Sequence, residues 1–192
     1  MVILNKIYTR TGDDGTTGLS TGERRDKFDL RVEAYGAVDE TNACLGMVQL
    51  HLPQDDPMAI ELKAFQNDLF DLGADLSTPE TGEELGYEPL RITDGQVERI
   101  ERAIDRFNAA LTPLRSFVLP GGSAAAAHLH LARTVARRAE RRMVELARRE
   151  QVNPAGIRYM NRLSDFLFVA SRVANDGGKG DVLWQPGKTR QG

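Results

Sequence analysis

Arginines at helical spacing are the strongest chemical signal in this sequence. The segment 133–142 reads RTVARRAERR. At about 100° per residue, a helix places Arg133, Arg137, Glu140 and Arg141 on one face, almost opposite its apolar side. Three arginines at successive turns repel one another unless a counter-charge is present. This stripe is therefore either a solvated face or a site for an anion, such as a triphosphate or the carboxylates of another subunit.

Glycine and threonine are concentrated between Thr9 and Lys27, where the sequence has neither helical nor strand periodicity. This pattern favours an ordered or ligand-ordered loop. Glycine lets backbone N–H groups approach a phosphate, and threonine hydroxyls add donors. Asp13 and Asp14 are suited to hold Mg²⁺ on phosphate oxygens. The spacing is neither that of a Walker A loop nor Gly-x-Gly-x-x-Gly, so a polar arm without a ligand is the alternative interpretation.

Other reactive side chains are few. Asn161, Arg162 and Asp165 share one side of the predicted last helix, either as ligand contacts or as polar contacts between helices. No pair of the three histidines has the spacing of a zinc or di-iron site. The sole cysteine, Cys44, excludes an internal disulfide and is expected in the core. No Gly-x-Ser-x-Gly motif occurs, so the sequence offers no nucleophile of that kind.

Helical periodicity dominates the chain after residue 28 and must position these side chains. It predicts a five-helix bundle with ferritin-like up-down packing, all-α and forming one domain. Residues 1–28 are its arm, 29–176 the bundle and 177–192 a polar tail. Ser77–Pro89 is a predicted loop, and the sole predicted strand is Ser116–Leu119. The predicted helices are Val32–Leu50, Met58–Leu76, one from an Asp94 cap to about Leu111, one from a Ser123 cap to about Glu150 and one from Pro154 to about Asn175.

Length and composition limit the class of protein. A chain of 192 residues fits a single domain, and 41% hydrophobic with 28% charged residues is typical of a globular protein. A net charge of −3 and 6% aromatic residues argue against nucleic-acid binding through the arginine helix. No apolar stretch is long enough to cross a membrane, and Met1–Lys6 lacks the features of a secretion signal. We therefore expect a cytoplasmic protein.

Several motifs, taken together, resemble those of the PduO-type ATP:cob(I)alamin adenosyltransferases. They stand in the order and spacing of that family and cover nearly the whole chain. The resemblance implies a five-helix bundle that assembles as a homotrimer, with ATP held between the arm of one subunit and the arginine helix of its neighbour. The motifs are YTRTGDDG from Tyr8, ERRDK from Glu23, VDE from Val38 followed by Asn42-Ala43, LPGGS from Leu119, RTVARRAER from Arg133 and YMNRLSD from Tyr159.

The resemblance also implies roles for individual residues. Arg133 resembles the arginine that pairs across the subunit interface with an aspartate, here Asp39. Phe117 resembles the aromatic residue that crowds the lower face of the corrinoid and keeps its cobalt four-coordinate. The implied nucleotide contacts of the arm are Thr9, Arg10, Thr11, Gly12, Thr17, Gly18 and Lys27. Those of the helices are Arg137, Arg138, Ala139, Glu140, Arg141 and Asn161.

The implied reaction needs no protein nucleophile. Cobalt(I) of the reduced corrinoid attacks C5′ of ATP, which gives adenosylcobalamin and triphosphate. Arg137 and Lys27 are the expected catalytic cations, Phe117 acts on the cobalt, and Mg²⁺ is carried mainly by the ATP phosphates. A reductase that supplies cobalt(I) and an enzyme that accepts the product are candidate partners. The alternative function, from a different class, is a non-catalytic helical bundle that senses ATP.

Overall fold

Five α-helices and one short hairpin make up the computed structural model, which describes residues 7–80, 82 and 85–190. The predicted all-α bundle is confirmed. Met1–Lys6, the segment predicted to lack a secretion signal, is outside the described residues. None of the helices in the described ranges has the length and apolar character of a membrane span. The elements are β1 (Thr16–Gly18), β2 (Arg24–Asp26), α1 (Leu30–Gln49), α2 (Pro57–Leu76), α3 (Asp94–Asn108), α4 (Ala124–Leu146) and α5 (Pro154–Val173).

Polar caps set where the helices begin. Asp29 accepts a hydrogen bond from a backbone N–H in the first turn of α1, and Ser123 does the same for α4, as predicted. The predicted Asp94 cap of α3 is wrong by one residue. Thr93 is the cap, and the side-chain carbonyl of Gln96 accepts from its backbone N–H at 2.9 Å to close a capping box.

The core lies where α1, α2, α4 and α5 pack together, and α3 packs against α5. Phe65 of α2 and Phe107 of α3 meet Phe166 of α5 edge to face, with ring centroids 4.9 and 5.7 Å apart. Tyr159 of α5 is also fully buried, and its hydroxyl donates to Asp68 of α2 at 3.1 Å. These contacts fix the rotation of α5, and therefore the side of it that is left at the surface.

The arm contains a β-hairpin that the sequence analysis did not predict. β1 and β2 pair antiparallel, and the turn between them needs a glycine at Gly22, where φ is 87°. The strands are three residues long and largely exposed, so they lack the alternation that reveals a strand. Leu19 is buried, and the N–H of Ser20 donates to the Ser77 carbonyl at 3.0 Å. The hairpin is thereby docked at the end of α2.

The segment predicted as a polar tail, 177–192, is folded onto the bundle over its described part. Val118 and Leu183 form an antiparallel β-bridge, with backbone hydrogen bonds of 2.8 Å on both sides of it. The predicted strand at 116–119 occurs in this reduced form. The guanidinium of Arg172 binds the carboxylate of Asp181 at 2.8 Å, and both side chains are almost fully buried. Composition alone indicated only a polar tail, because the partners of this segment lie elsewhere in the chain.

A buried arginine joins the arm to the bundle. The side chain of Arg31 is 2% exposed and binds Glu150 at 2.8 Å, and Glu150 also binds Arg25 of β2 at 3.0 Å. Helix α4 ends at Leu146 rather than at the predicted Glu150, because residues 147–150 form turns that bring this carboxylate to the two arginines. Partial burial acts to raise the pKa of Glu150, but the hydrogen bonds from Arg31 and Arg25 lower it below its ordinary value.

We expect Glu150→Ala to lower the free energy of unfolding by about 3 kcal/mol, because the buried guanidinium of Arg31 loses its counter-charge. Glu145→Ala is the matched control, since Glu145 forms only exposed ion pairs, each worth about 0–1 kcal/mol. The measurement is urea unfolding of both variants and the parent at one protein concentration. Equal losses in the two variants would contradict the role given to Glu150.

The same pair predicts a loss of stability in acid. Because the pKa of Glu150 is lowered in the folded state, its contribution is complete above its ordinary value of 4.5 and is lost as the pH falls through the folded pKa. The difference in unfolding free energy between Glu150→Ala and the parent, measured by urea unfolding at several pH values, should therefore shrink as the pH falls below 4.5.

Candidate active site

Residues 10–16 of the arm fold into a compact loop that is held by its own hydrogen bonds. The N–H of Gly15 donates to the Gly12 carbonyl at 3.2 Å, and the Asp14 carboxylate accepts from the backbone N–H and the hydroxyl of Thr16 at 2.9 and 2.7 Å. Any side chain at Gly12 is excluded, since its Cβ would lie 2.9 Å from the Thr16 carbonyl oxygen and 3.3 Å from Lys27 Nζ. The loop therefore brings two predicted contacts, Gly12 and Lys27, together.

Arg24 of β2 organises this loop, a role that the sequence analysis missed. Its guanidinium donates to the Thr11 carbonyl at 2.5 Å and to the hydroxyl of Thr16, and it lies 3.6 Å from the Asp14 carboxylate. Hydrogen bonds from Thr16 lower the pKa of Asp14, and the charge of Arg24 lowers it further. The ERRDK motif was the only sequence signal for Arg24, because its contact with the loop depends on the pairing of the two strands.

The remaining predicted contacts of the arm surround this loop. The hydroxyls of Thr9 and Thr11 are 2.9 Å apart. Arg10 has a left-handed φ of 63°, which turns the chain at the start of the loop. Thr17 and Gly18 follow in β1. None of the five is buried, so all are accessible to a ligand.

The predicted contacts on α4 fall into two groups on different sides of the helix. Arg138 turns toward α1, where it forms an ion pair with Glu40. Together with Lys27 and Arg142, these residues line a cavity of about 490 Å³ between the arm, α1 and α4. A rotation of about 100° separates Arg138 from its neighbour Arg137. Arg138 therefore lies with Lys27 of its own chain and not with Arg137.

The second group lies where α4 and α5 meet at the surface. Asn161 donates to the Glu140 carboxylate at 2.9 Å and accepts from Arg162 at 2.5 Å, so the three form one polar network. Burial raises the pKa of Asp165, whereas the charges of Arg162 and Arg137 act to lower it. Arg137 itself is exposed and forms no ion pair with any other described residue. Its guanidinium is therefore available to an anion.

Arg133 carries a buried donor without an acceptor. Its Nε has no hydrogen-bond partner within the described part of the chain. Burial lowers the pKa of Arg133, and the nearby charge of Arg137 lowers it further. Asp39 is exposed on α1 and has no ion-pair partner in the same described ranges. The pair implied by the family resemblance is thus not formed within one chain.

Two further predicted contacts on α4 differ in their access to a ligand. Arg141 is exposed, and its guanidinium donates to the Arg137 carbonyl at 3.3 Å. Ala139 is fully buried in the core, so its side chain is not accessible from the surface of the single chain. The reason is the helical period, since position 139 lies on the apolar face of α4 with Ala132 and Met143.

An apolar cavity of about 580 Å³ opens beside Phe117. The residue is 76% exposed, and its ring centroid lies 6.0 Å from that of Trp184, the sole tryptophan of the chain. Phe168 of α5 contributes to the same wall. Such a cluster of exposed rings indicates a surface that an apolar ligand or partner covers. The sequence analysis missed Trp184, although the apolar run 182–184 within a polar segment was a signal for it.

The acidic side chains of the loop do not form a metal cage. The described residues contain no group of three or more His, Cys, Asp or Glu side chains that could hold a metal ion. Asp14 is engaged with Thr16 and Arg24, which leaves Asp13 as the uncommitted carboxylate of the loop among the described residues. This arrangement fits a cation that keeps water and phosphate as most of its ligands, as Mg²⁺ does on a polyphosphate.

Sequence comparison finds relatives over nearly the full chain. The family model described as cobalamin adenosyltransferase matches residues 7–174. A corrinoid adenosyltransferase of Mycobacterium tuberculosis is 51% identical over 191 residues, which cover 98% of this chain and 97% of the relative. The corrinoid adenosyltransferase PduO of Salmonella typhimurium is 46% identical over 167 residues, which cover 87% of this chain and 49% of that protein.

Solved structures with a similar fold carry the same kind of name as these relatives. A PduO-type ATP:corrinoid adenosyltransferase from Lactobacillus reuteri, a phenylalanine-to-histidine variant complexed with cobalamin and ATP, has a TM-score of 0.87 at 37% identity, over 94% of this chain and 97% of that chain. An arginine-to-lysine variant from the same organism, complexed with ATP, has a TM-score of 0.84 at 37% identity, over 93% and 100%. The chain therefore belongs to the cobalamin adenosyltransferase family.

Proposed function

We propose that this chain transfers the 5′-deoxyadenosyl group of ATP to the cobalt of a reduced corrinoid and releases triphosphate. The observation that carries the proposal is that one chain combines a cavity lined by Lys27, Arg138 and Arg142 beside the arm loop with an apolar cavity that has exposed aromatic rings. The loop suits the polyphosphate of ATP, and the cavity suits the flat corrin ring. The solved relative from Lactobacillus reuteri was complexed with the same two molecules, cobalamin and ATP.

The proposed reaction is a displacement at C5′ of the ribose. The lone pair of cobalt(I) forms the Co–C5′ bond, the bond from C5′ to the phosphate oxygen breaks, and its electron pair leaves with triphosphate. No proton moves, so neither a general base nor a protein nucleophile is required. The protein contributes by holding cobalt, C5′ and the leaving oxygen in line and by stabilising the charge that develops on the triphosphate.

Arg137 and Lys27 are the proposed partners of the leaving group. Arg137 is suited to this role because it forms no ion pair in the described part of the chain and presents a planar fork to phosphate oxygens. Lys27 Nζ lies beside the backbone of Gly12, where a phosphate can approach closely. Mg²⁺, when bound to the phosphates, neutralises further charge, with Asp13 as the accessible carboxylate nearby.

The active site is proposed to lie between two copies of the chain in a homotrimer. Among the described residues, the buried Nε of Arg133 has no acceptor and the exposed carboxylate of Asp39 has no cation. An Asp39 supplied by a neighbouring copy satisfies both groups. The arm loop with Lys27 of one copy then meets the Arg137 and Asn161 side of the next, and three such contacts close a ring.

Phe117 is proposed to exclude the lower axial ligand of the corrinoid. Its ring is exposed at the cavity and is held there by an extended segment that pairs with residues 182–184. A cobalt(II) ion that loses an axial nitrogen ligand is reduced more easily, because ligand donation stabilises the oxidised state. Phe117 therefore assists formation of the nucleophile without touching ATP.

A non-catalytic ATP sensor is the competing function. It would use the arm loop and the arginines of α4, but it gives no reason for an exposed aromatic cavity on the same chain. The purified protein should be incubated with ATP, Mg²⁺ and chemically reduced cobalamin. Formation of adenosylcobalamin and triphosphate in equal amounts is expected, whereas ATP binding without either product would favour the sensor.

Arg137→Ala is expected to lower kcat by about 10²-fold, because a charged donor to the leaving group is lost. Arg137→Lys keeps the positive charge but not the planar guanidinium, and its kcat should lie between those of the parent and Arg137→Ala. The control is Arg102→Ala, which removes an exposed arginine of α3 that pairs with Glu98. Turnover is followed by the loss of cob(I)alamin absorbance at saturating ATP. Near-normal turnover of Arg137→Ala would mean that another group supports the triphosphate.

Mixed assemblies test whether each site is shared between copies. Lys27→Ala and Arg137→Ala should each have low activity alone, because every site then lacks one cation. When the two variants are co-expressed with different tags and purified through both, each mixed trimer contains one interface with both cations. Such trimers should recover about one third of the parent's activity, a value set by ring geometry. No recovery, or a parent protein that sediments as a monomer, is incompatible with a shared site.

Phe117→Ala should slow the reduction of bound cobalt(II) to cobalt(I) by about tenfold or more at a fixed reductant concentration, since the axial ligand is retained. The affinity for ATP, measured by calorimetry, should change little. Phe70→Ala, which removes another exposed phenylalanine on α2, is the control. A collapse of ATP affinity with an unchanged rate of reduction would show that Phe117 serves the nucleotide instead.

A further inference from the structure

The two segments that form most of the wall of the apolar cavity beside Phe117 carry basic residues and no acidic ones. The connection between α3 and α4, residues 109–123, has Arg115 as its sole charged residue. The segment 182–190 carries Lys188 and Arg190 and no acidic residue. Both segments contribute to the cavity wall, in a chain whose net charge is −3. The local excess of cations therefore indicates that this end of the molecule meets an anionic part of a ligand.

Arg115 is the charged residue that lines the cavity itself. It lies two positions before Phe117, and the intervening Ser116 is held by a hydrogen bond from its hydroxyl to the Trp184 carbonyl at 2.8 Å. The N–H of Trp184 in turn donates to the Phe117 carbonyl at 2.8 Å. Within the described residues Arg115 has neither an ion pair nor a side-chain hydrogen bond. Its backbone is therefore fixed at the cavity while its guanidinium is uncommitted.

The nucleotide tail of a complete corrinoid carries an anion that could bind Arg115. A complete cobalamin carries a nucleotide tail that ends in the lower base and contains one phosphodiester, with a single negative charge. When Phe117 excludes the base from cobalt, the tail must leave the lower face of the ring on the side where Phe117 and Arg115 lie. Guanidinium groups bind such an anion through paired, charge-assisted hydrogen bonds.

We propose that Arg115 binds the phosphodiester of the displaced nucleotide tail and thereby favours complete cobalamins over corrinoids without a tail. The inference rests on the proposed function, and in particular on the exclusion of the lower base by Phe117. It gives the cavity two parts, an apolar wall for the ring and a cationic edge for the tail. Arg115 acts on substrate selection and not on the chemical step, because it belongs to neither the arm loop nor α4.

The test compares two substrates that differ by the tail. Reduced cobalamin and reduced cobinamide have the same ring and cobalt, but cobinamide lacks the phosphodiester and the base. In Arg115→Ala, the KM for cobalamin should rise about five- to tenfold, as expected for the loss of a charge-assisted hydrogen bond at a partly exposed site. The KM for cobinamide and the KM for ATP should stay within about twofold, and Arg115→Lys should restore part of the difference.

A binding measurement supports the kinetics. Trp184 is the sole tryptophan and stands in the cavity wall, so corrinoid binding should quench its fluorescence. Titrations with cobalt(II) cobalamin and cobalt(II) cobinamide in the presence of ATP give the two dissociation constants. The preference for cobalamin over cobinamide should be smaller in Arg115→Ala than in the parent. Because the contact is electrostatic, this preference should also fall in the parent at high salt. Arg102→Ala, with the same change of charge on α3, should leave the ratio as it is in the parent.

The possible outcomes separate the inference from the proposed function. Equal rises in the KM for both corrinoids would mean that Arg115 contacts the corrin ring or supports the fold. No change in either KM would mean that Arg115 is a solvated side chain without a ligand. Both results overturn the inference. A rise in the KM for ATP alone would assign Arg115 to the nucleotide and overturn it as well. If the parent adenosylates neither corrinoid, the proposed function itself fails, whatever Arg115 does.

Discussion

The ion pair between Arg31 and Glu150 is the contact on which the geometry of the site depends. A guanidinium that is 2% exposed is tolerated only with acceptors around it, and Glu150 supplies the charge that it needs. The same carboxylate holds Arg25, which belongs to the second strand of the arm. Through this shared carboxylate, the strand that leads to Lys27 is tied to the end of α4. The distance between the arm loop and the bundle is therefore set by a buried charge and not by loop length.

Helix α4 shows how the chain keeps cations ready for a polyanion. Arg138 is neutralised by Glu40 of the same chain, whereas Arg137 has no ion-pair partner in the described ranges and Arg133 has a buried donor without an acceptor. Unpaired arginines of this kind oppose folding, and the large apolar face of the helix compensates for them. The proposed function gives each a purpose: Arg137 binds the triphosphate leaving group, which requires donors that are not already occupied, and Arg133 pairs with Asp39 of a neighbouring copy.

The two proposed substrates need opposite surfaces, and the fold separates them. The polar loop lies on the arm, and the apolar cavity is built from the connection before α4 and from the C-terminal segment. That segment stays in place because the nearly buried pair of Arg172 and Asp181 and the β-bridge between Val118 and Leu183 fix the part of it next to Phe117. The aromatic wall is made from distant parts of the chain, and its rings are exposed. Backbone hydrogen bonds between the two segments keep it in place on the bundle.

Local pattern was sufficient for the helices, for the Ser123 cap and for the arginine face of α4, because each depends on residues within one or two turns of one another. The same periodicity placed Ala139 in the core, where the structure has it. The hairpin, the role of Arg24, the position of Trp184 and the pairing of Arg31 with Glu150 were decided by the tertiary structure. Arg24 and Thr16 are 8 residues apart, and Arg31 and Glu150 are 119 residues apart, so no local period records these contacts. Burial and charge neutralisation select such contacts only once the helices have packed.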